Sequence, residues 1–400
     1  MFQHLFKLIW KRKARNLMLS LELLLAFVVV FAVAAVGVRS TQLYQQPLGF
    51  DGDDVWSVRI EDVQDGKATF SPEVYDSFKR ALEALPEVRK VAFASTAPYT
   101  SRTMVTDLKP VDGGPFIQTE LAEASDDFLP LLGVTLVQGR GFDQTDNGAA
   151  AQAVVVNGHM ARAMFGDASP IGKTFDASRL SDKKQTIMRV VGVVDTLRMK
   201  GEFDSRENVV IMRHVAHQTM DGMRMIMLKT APGTTRSFEE KLSRQLKLIN
   251  NGWAYEIAPL AEMRKTELRE QLIPLKILAV VAAFLLVMVA FGLFGVLWQN
   301  TARRIPEIGL RRAIGASAGN IYRQIIAEQM LLSSMSMAVA LLILVQLPLT
   351  GALGDSLNWA VFGVAAALSM TVIYLLSLLC SVYPGWRASR MSPTAALHYE

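Results

Sequence analysis

The stretch from Gly166 to Thr174 has the spacing nearest to a phosphate-binding loop. It reads G-D-A-S-P-I-G-K-T, whereas a loop that cradles phosphate has four residues between its two glycines. Here five residues separate the glycines, and Pro170 has no N–H to donate to a phosphate. The pattern favours a glycine-proline turn that ends in an exposed lysine. Since no other run of this kind occurs in the sequence, any ATPase is predicted to be a separate chain.

Few residues in the sequence are candidates for metal binding or for thiol chemistry. His214 and His217 have a spacing that suits a metal, but no Cys or acidic residue lies close to them in sequence and His159 is remote. Two surface histidines in a loop are the favoured interpretation, and neither a metal site nor a catalytic group is predicted. The single cysteine, Cys380, rules out an intrachain disulfide.

One acidic residue, Glu22, lies inside a long apolar run, about one turn from its start. Ionisable groups within a membrane are costly, and they are usually paired or functional. Glu22 is predicted to reach the membrane interface and to pair with a neighbouring cation. A role in coupling or in substrate passage is the alternative, which makes Glu22 a candidate intramembrane functional acid.

The segment 303–316 combines positive charge with small residues at regular spacing, and reads R-R-I-P-E-I-G-L-R-R-A-I-G-A. Glu307 and Arg311 are i,i+4 partners that can support a short helix. The small residues leave room for another backbone to approach, and the remaining cations can meet acidic groups of a partner. An ordinary positively charged loop would explain the arginines but not the small residues. The docking candidates are Arg304, Glu307, Gly309, Arg311, Arg312, Ala313, Gly315 and Ala316.

Four apolar runs flank these residues, at 17–38, 277–298, 330–349 and 359–382. Each has about 20 residues, which at ~1.5 Å per residue matches the ~30 Å hydrocarbon core of a bilayer. The sequence therefore predicts an α-helical membrane protein with four transmembrane helices, one before and three after a large polar region at 39–276.

Lys and Arg are concentrated in the arm 1–16, the loop 299–329 and the tail 383–400, whereas the loop 350–358 has no cation. Short basic segments stay in the cytoplasm, so the region 39–276 is predicted to be extracytoplasmic. The chain has 42 basic and 37 acidic residues. Much of the excess lies beside the spans, where it would face the anionic headgroups of the lipid bilayer, and no nucleic-acid partner is predicted.

The N-terminal segment leaves two questions of interpretation, one about its apolar run and one about the residues before it. Because the run is longer than the apolar region of a signal peptide, an uncleaved anchor is favoured over a cleaved signal. Residues 2–10 are compatible with an amphipathic helix on the membrane surface or with a frayed start of the first span.

The external region repeats a strand–helix–strand order, which indicates an α+β domain. The order occurs at Val55–Ile60, Pro72–Leu85 and Val91–Ser95, and again at Met223–Leu228, Ser237–Ile249 and Trp253–Ile257. Halves at about 50–105 and 216–260 are predicted to form one subdomain. The stretch of about 106–215 would be an inserted second subdomain, and 260–276 a helical stalk.

Several motifs together resemble the permease subunits of MacB/FtsX-type, or type VII, ABC transporters, and the resemblance covers essentially the whole chain. Residues 124–133 (A-S-D-D-F-L-P-L-L-G) and 138–142 (Q-G-R-G-F) are similar to the family's S-x-D-Y-F-x-x-L-G and G-R-x-F pattern. Residues 304–316 resemble its coupling segment R-x-x-E-I-G-L-x-R-A-x-G-A, and residues 384–393 its C-terminal P-x-W-R-A-x-R-x-x-P. Asn157 and the Phe165–Gly166 pair, also part of the resemblance, are interpreted as fold residues.

The resemblance implies a permease of the bacterial inner membrane in which ATP hydrolysis drives motion of the external domain, called mechanotransmission. ATP and Mg would be bound by a partner ATPase dimer, with no cofactor in this chain, and a second permease copy is expected, identical or not. Export of a peptide, drug or lipid-like substrate, with a periplasmic adaptor and an outer-membrane channel, is favoured because the external region has two parts. The alternatives are an FtsX-like signalling scaffold and a lipoprotein-release permease.

Overall fold

The computed structural model describes residues 13–62, 72–100, 104–109, 114–177, 187–204, 208–214 and 223–390. Contacts divide the chain into two compact units. The helical unit comprises residues 1–42 and 272–400, and the external unit comprises residues 43–271. The proposed surface helix at 2–10, His217 and the end of the tail lie outside the described residues.

Helices and strands follow one another along the chain in the order expected for a membrane protein with an inserted α+β domain. In chain order they are α1 Lys13–Tyr44, β1 Val55–Asp62, α2 Pro72–Glu83, β2 Val88–Ala94, β3 Met104–Leu108, β4 Ile117–Ala124, α3 Phe128–Leu131, β5 Leu136–Gly139, β6 Gln152–Asn157, α4 Gly158–Phe165, β7 Thr174–Asp176, β8 Ile187–Val194, β9 Val209–Arg213, β10 Met225–Thr230, α5 Ser237–Ile249, β11 Trp253–Pro259, α6 Leu260–Ala302, α7 Ile305–Ala313, α8 Ala318–Leu344, α9 Gln346–Thr350 and α10 Trp359–Arg390.

Four helices of the described chain, α1, α6, α8 and α10, are long and apolar enough to cross a membrane. This confirms the predicted number of apolar helices.

Polar side chains join α8 to α10. The Ser333 and Ser377 hydroxyls lie 2.8 Å apart, and those of Ser334 and Tyr374 also lie 2.8 Å apart. Such pairs are common in membrane helices because little hydrophobic driving force acts between helices in lipid.

All four long helices extend beyond the apolar runs that predicted them, and α6 and α8 extend furthest. The third long helix begins at Ala318 rather than at residue 330, because its first turns are polar and a hydropathy pattern does not detect them. Residues 299–329 are therefore mostly helical and not a loop. The predicted stalk and the second span form one helix, α6, of 43 residues with Pro274 inside it.

The external unit contains a sheet whose described strands follow the order β11-β1-β10-β2-β4-β9-β6-β8-β5, with β3 beside β4 and β7 beside β8. The two predicted strand–helix–strand repeats are confirmed, and they interleave, because β10 lies between β1 and β2 and is antiparallel to both. This is the split βαβ arrangement. Apolar residues of α2 and α5, such as Phe78, Leu82 and Leu242, form one core with the strands.

The strands of the intervening stretch, β4, β9, β6, β8 and β5, form the other part of the sheet. A single residue pair, Ala94 with Ala124, joins β2 to β4. Because contacts group 43–271 as one unit, the division into two subdomains stays a prediction.

Candidate functional site

The short helix α7 begins and ends with local signals in its own sequence. Pro306 lies in the first turn, where its missing N–H costs nothing, and arginines in the last turn complement the helix dipole. At the end, the N–H of Ala316 donates to Arg311 O and that of Gly315 to Arg312 O. Gly315 has a φ of +103°, so the helix closes in the Schellman motif, which favours glycine at this position.

The inner face of α7 is buried within the helical unit. Ile305, Ile308 and Gly309 are its buried residues. Ile308 forms a small apolar cluster with Ile321 of α8 and Ala388 of α10. The helix is thus fixed against two of the long helices, and Gly309 lies on the side that faces them.

Hydrogen bonds from arginines attach α7 to its neighbours. Arg304 Nη1 donates to Glu328 Oε2 of α8 at 2.5 Å, and Gln324 Nε2 donates to the other oxygen of Glu328 at 2.9 Å. Arg311 donates to Gln324 Oε1 at 2.9 Å and to Glu307 at 2.6 Å. The predicted Glu307–Arg311 pair is therefore confirmed, as part of a network.

Arg312 has an acceptor in the C-terminal helix of its own chain. Its Nη1 donates to the backbone oxygen of Ser389 in α10 at 3.1 Å. With the network above, three of the docking candidates, Arg304, Arg311 and Arg312, therefore hold α7 in place, whereas Glu307 pairs within α7 itself. The sequence missed the partners Gln324, Glu328 and Ser389.

A small cavity of about 60 Å³ lies beside the Arg304–Glu328 pair. Its lining is mixed, with Asn300, Thr301 and Gln329 among leucines and isoleucines. Asn300 Oδ1 and Arg304 Nε are buried without a hydrogen-bond partner in the described chain. A cavity of this size has room for a few waters, which would satisfy both atoms if placed at its polar side.

The outer face of α7 is exposed along its length, and we call it the docking face. It consists of Arg303, Pro306, Glu307, Leu310, Ala313, Ile314 and Gly315. Leu310 and Ile314 are 58% and 79% exposed, and they lie one helical turn apart. Neither was among the candidates, although their i,i+4 spacing from each other and their offset from Ile305 and Ile308 could have identified them. Of the candidates, Glu307, Ala313 and Gly315 lie on this face, and Ala316 packs against the inner cluster.

Glu22 lies against a glycine of another long helix. A Cβ on Gly292 of α6 would overlap the Glu22 carboxylate, so glycine at this position lets the two helices approach. No ion pair of Glu22 occurs within the described part of the chain. The basic side chains of the arm 1–16 are outside it, and the predicted pairing with a neighbouring cation stays a prediction.

His214 is not the surface histidine that the sequence predicted. It follows β9, its side chain is mostly buried, and its Nδ1 lies 2.7 Å from Glu123 Oε1. Tyr75 packs edge-on against the His214 ring, and burial together with the nearby Glu123 carboxylate raises the pKa of Tyr75. Sequence could not show the contact because 91 residues separate His214 from Glu123. Among the described residues, no group of three or more His, Cys, Asp and Glu could hold a metal ion.

The glycine-lysine stretch forms a turn and not a phosphate loop. A strand, β7, follows Lys173, whereas a phosphate loop leads into a helix whose N-terminus faces the phosphate. The Lys173 ammonium lies 5.2 Å from the centre of the Phe165 ring. Asn157 caps α4 by accepting from Met160 N at 3.0 Å, which shows the structural role that the sequence predicted for it.

Arg140 of the G-R-x-F motif is paired with a buried carboxylate. Its two terminal nitrogens donate to the two oxygens of Asp146 at 2.8 and 2.7 Å. Arg189 approaches the same carboxylate at 3.4 Å. The hydrogen bond from Arg140 is the main cause that lowers the pKa of Asp146, against the opposing effect of burial.

Asp146→Asn is expected to destabilise the chain by about 2 kcal/mol at pH 7, the usual value of a hydrogen bond to a charged group. Because the folded pKa of Asp146 is lowered, its contribution is complete above the unfolded value of about 3.9 and is lost as the pH falls below it. Thermal unfolding of the full chain should thus show a smaller gap between variant and wild type at about pH 3 than at pH 7. An equal gap at both pH values would contradict this role, and the exposed Asp167→Asn serves as the control.

Comparisons with known proteins agree on one family. The family model described as MacB-like periplasmic core domain matches residues 18–245, which is more than half of the chain, and that described as FtsX-like permease C-terminal matches residues 279–393. The macrolide export ATP-binding/permease protein MacB of Bdellovibrio bacteriovorus is 23% identical over 421 residues, which cover 100% of this chain and 62% of that protein. The pyoverdine export ATP-binding/permease protein PvdT of Pseudomonas aeruginosa is 22% identical over 407 residues, which cover 98% of this chain and 57% of that protein.

This chain therefore spans about three fifths of the length of both relatives. Among solved structures, the periplasmic region of MacB from Actinobacillus actinomycetemcomitans matches with a TM-score of 0.39 and 16% identity, over 56% of this chain and 97% of that one.

Proposed function

The chain belongs to the MacB/FtsX-type family of ABC transporter permeases, and from this premise we propose that it couples ATP hydrolysis by a separate cytoplasmic ATPase to motion of its external domain. The partner ATPase dimer would bind ATP and Mg. The observation that carries the proposal is the docking face of α7, where Leu310 and Ile314 are exposed although three neighbouring arginines are hydrogen-bonded within the chain.

The docking face suits an ATPase surface for two reasons. The exposed pair Leu310 and Ile314 offers apolar area that a partner can bury. The network of Arg304, Glu328 and Arg311 keeps α7 in one position, so little conformational freedom would be lost on binding. An internally fixed helix can also pass a displacement on to the long helices that it contacts.

One long helix, α6, leads from the external unit through the membrane-capable part of the chain to the docking face. α6 begins at Leu260, directly after β11, and ends at Ala302, with two residues between it and the start of α7. A helix of this length extends about 65 Å at 1.5 Å per residue. We infer that it transmits changes at the docking face, with 39–276 extracytoplasmic, the docking face cytoplasmic and the spans in the bacterial inner membrane. A second permease copy, identical or not, would complete the assembly.

Export is the function that we propose for this coupling. Two relatives are described as macrolide and pyoverdine export proteins, and we extend to this chain the export of a peptide, drug or lipid-like substrate. A periplasmic adaptor and an outer-membrane channel would carry the substrate onward. An FtsX-like scaffold that regulates an external partner, and a lipoprotein-release permease, are the other functions within the same family.

Loss of the chain is expected to make its cargo accumulate inside the cell envelope and decline in the medium. Mass spectrometry of small molecules, peptides and lipoproteins in periplasm, membranes and medium would compare three strains: wild type, a deletion, and one whose partner ATPase binds but does not hydrolyse ATP. We expect the last two to share one accumulated species. Unchanged contents in all fractions, with altered activity of a secreted hydrolase, would contradict export and support the scaffold function.

A further inference from the structure

Four aromatic side chains stack where α6 and α10 meet near their C-terminal ends. The Trp298 and Tyr383 rings are nearly parallel, with centres 5.9 Å apart and planes 7° apart. Phe294 continues the stack on α6, 6.2 Å from Trp298, and Trp386 continues it on α10, 6.2 Å from Tyr383. The stack fixes the positions of the two indole rings.

Two arginines lie on the faces of those indoles. The guanidinium carbon of Arg387 is 4.5 Å from the centre of the Trp298 ring, and that of Arg390 is 4.7 Å from the Trp386 ring. Both distances are within the range of cation–π attraction. We call Trp298, Trp386, Arg387 and Arg390 the arginine–tryptophan cluster.

Arg387 and Arg390 are both exposed. Neither donates a hydrogen bond to an acceptor in the described part of the chain. This separates them from Arg304, Arg311 and Arg312, which donate to Glu328, to Gln324 with Glu307, and to Ser389. Stacking uses the face of a guanidinium and leaves its N–H groups at the edge free to donate. The cluster therefore presents two oriented cationic donors for which the described residues supply no counter-charge.

The surroundings of the cluster combine a cleft with apolar surface. A cavity of about 70 Å³ is lined by Trp298, Thr301, Ile305, Pro384 and Arg387, among others. Toward the middle of the same helices, exposed apolar residues follow one another, including Phe291 on α6 and Leu379 on α10. An amphiphile could place a polar head at the arginines and its chains along these residues.

We propose that the arginine–tryptophan cluster binds the headgroup phosphate of an anionic phospholipid of the cytoplasmic leaflet. This site is separate from the docking face. Arginine matches phosphate with paired N–H donors, and Trp and Tyr are enriched at membrane–water interfaces. Basic residues beside helix ends are attracted to anionic lipid, and the apolar continuation along α6 and α10 favours a lipid over free phosphate.

Native mass spectrometry of the full chain released from micelles would test the site, with phosphatidylglycerol and phosphatidylcholine as probes. Wild type is expected to retain phosphatidylglycerol in preference to phosphatidylcholine. Arg387→Gln and Arg390→Gln should each weaken phosphatidylglycerol binding about fivefold, as expected for one basic residue near anionic lipid. Arg323→Gln is the matched control, since it removes an exposed arginine of α8 that lies outside the cluster, and it should weaken binding less than either cluster variant does.

Several outcomes would overturn the proposal. Equal retention of both lipids would show that the cluster does not recognise the anionic headgroup, as would wild-type preference in both cluster variants. Displacement of phosphatidylglycerol by inorganic phosphate alone would identify a phosphate site instead of a lipid site. If the cluster variants kept their lipid but lost the partner ATPase, the arginines would belong to a protein interface. A loss in Arg323→Gln as large as that in the cluster variants would also overturn the proposal, because lipid binding would then depend on positive charge in general and not on the cluster.

Discussion

Ile314→Asp is expected to leave a folded permease in the membrane that no longer copurifies with its ATPase. Ile314 is 79% exposed at the end of α7, so an aspartate there disturbs no packing within the chain. Against a partner, the carboxylate would have to lose its water without a paired charge, which is costly. We expect at least about a tenfold loss of affinity, the size typical for a central apolar interface residue.

Copurification of the ATPase with the permease, and ATP hydrolysis by the assembled complex, would measure this effect. Leu248→Asp is the matched control, because Leu248 is 81% exposed on α5 of the external unit. The control should bind and stimulate the ATPase like wild type. Normal assembly and hydrolysis in Ile314→Asp would remove the docking face from the proposed coupling mechanism.

Ile314 is a better position than the adjacent Gly315 for a substitution that tests docking, because of the backbone conformation at Gly315. Gly315→Trp looks like a steric test of docking, but Gly315 has a φ of +103° and closes the Schellman motif. Any side chain there is strained, although the space around the position is open. A defect of Gly315→Trp would therefore mix loss of the α7 end with loss of docking.

Glu328→Ala is expected to destabilise the helical unit by about 3 kcal/mol, the lower end of the cost of removing one member of a buried ion pair. The Arg304 and Glu328 side chains are 21% and 15% exposed, and the Nε of Arg304 is already without a partner in the described chain. Removing the carboxylate would leave the Arg304 charge largely buried and unpaired. Unfolding of the purified full chain, measured by heating or by denaturant, would show the loss.

A double replacement separates charge from packing. Arg304→Met with Glu328→Leu removes both charges and keeps most of the volume, so most of the lost stability should return. Glu307→Ala is the control, because its pair with Arg311 is more exposed and should contribute less than about 1 kcal/mol. If Glu328→Ala were as mild as Glu307→Ala, the buried pair would not be what holds α7 to α8.

Local patterns predicted most of the secondary structure. The helix predicted at Ser237–Ile249 has the bounds observed for α5, and the strand predicted from Val55 extends only two residues further. Both follow from apolar periodicity within a short window. The pattern failed at the start of α8, since residues such as Asn320, Gln324 and Glu328 are polar although the helix there continues without a break.

Contacts between distant residues could not be predicted in this way. The Glu307–Arg311 pair followed from a four-residue spacing, but the Arg304–Glu328 pair spans 24 residues and a reversal of the chain. The docking candidates were selected by residue type, which cannot distinguish a glycine required by a helix end from one required by a partner. The exposed Leu310 and Ile314 became evident only once the inner face of α7 was known.

Pro274 interrupts the hydrogen bonding of α6 about one third of the way along it, and this gives the helix a mechanical property. A proline in a helix interior removes one hydrogen bond and permits bending at that point. Of the 43 residues of α6, 14 precede Pro274 and 28 follow it. The longer arm extends roughly 40 Å, so a bend of about 7° would displace its far end by about 5 Å, close to the pitch of one helical turn. α6 therefore works like a lever with arms of unequal length. A small change of angle at Pro274 would be converted into a displacement of several ångströms at the C-terminal end of the longer arm.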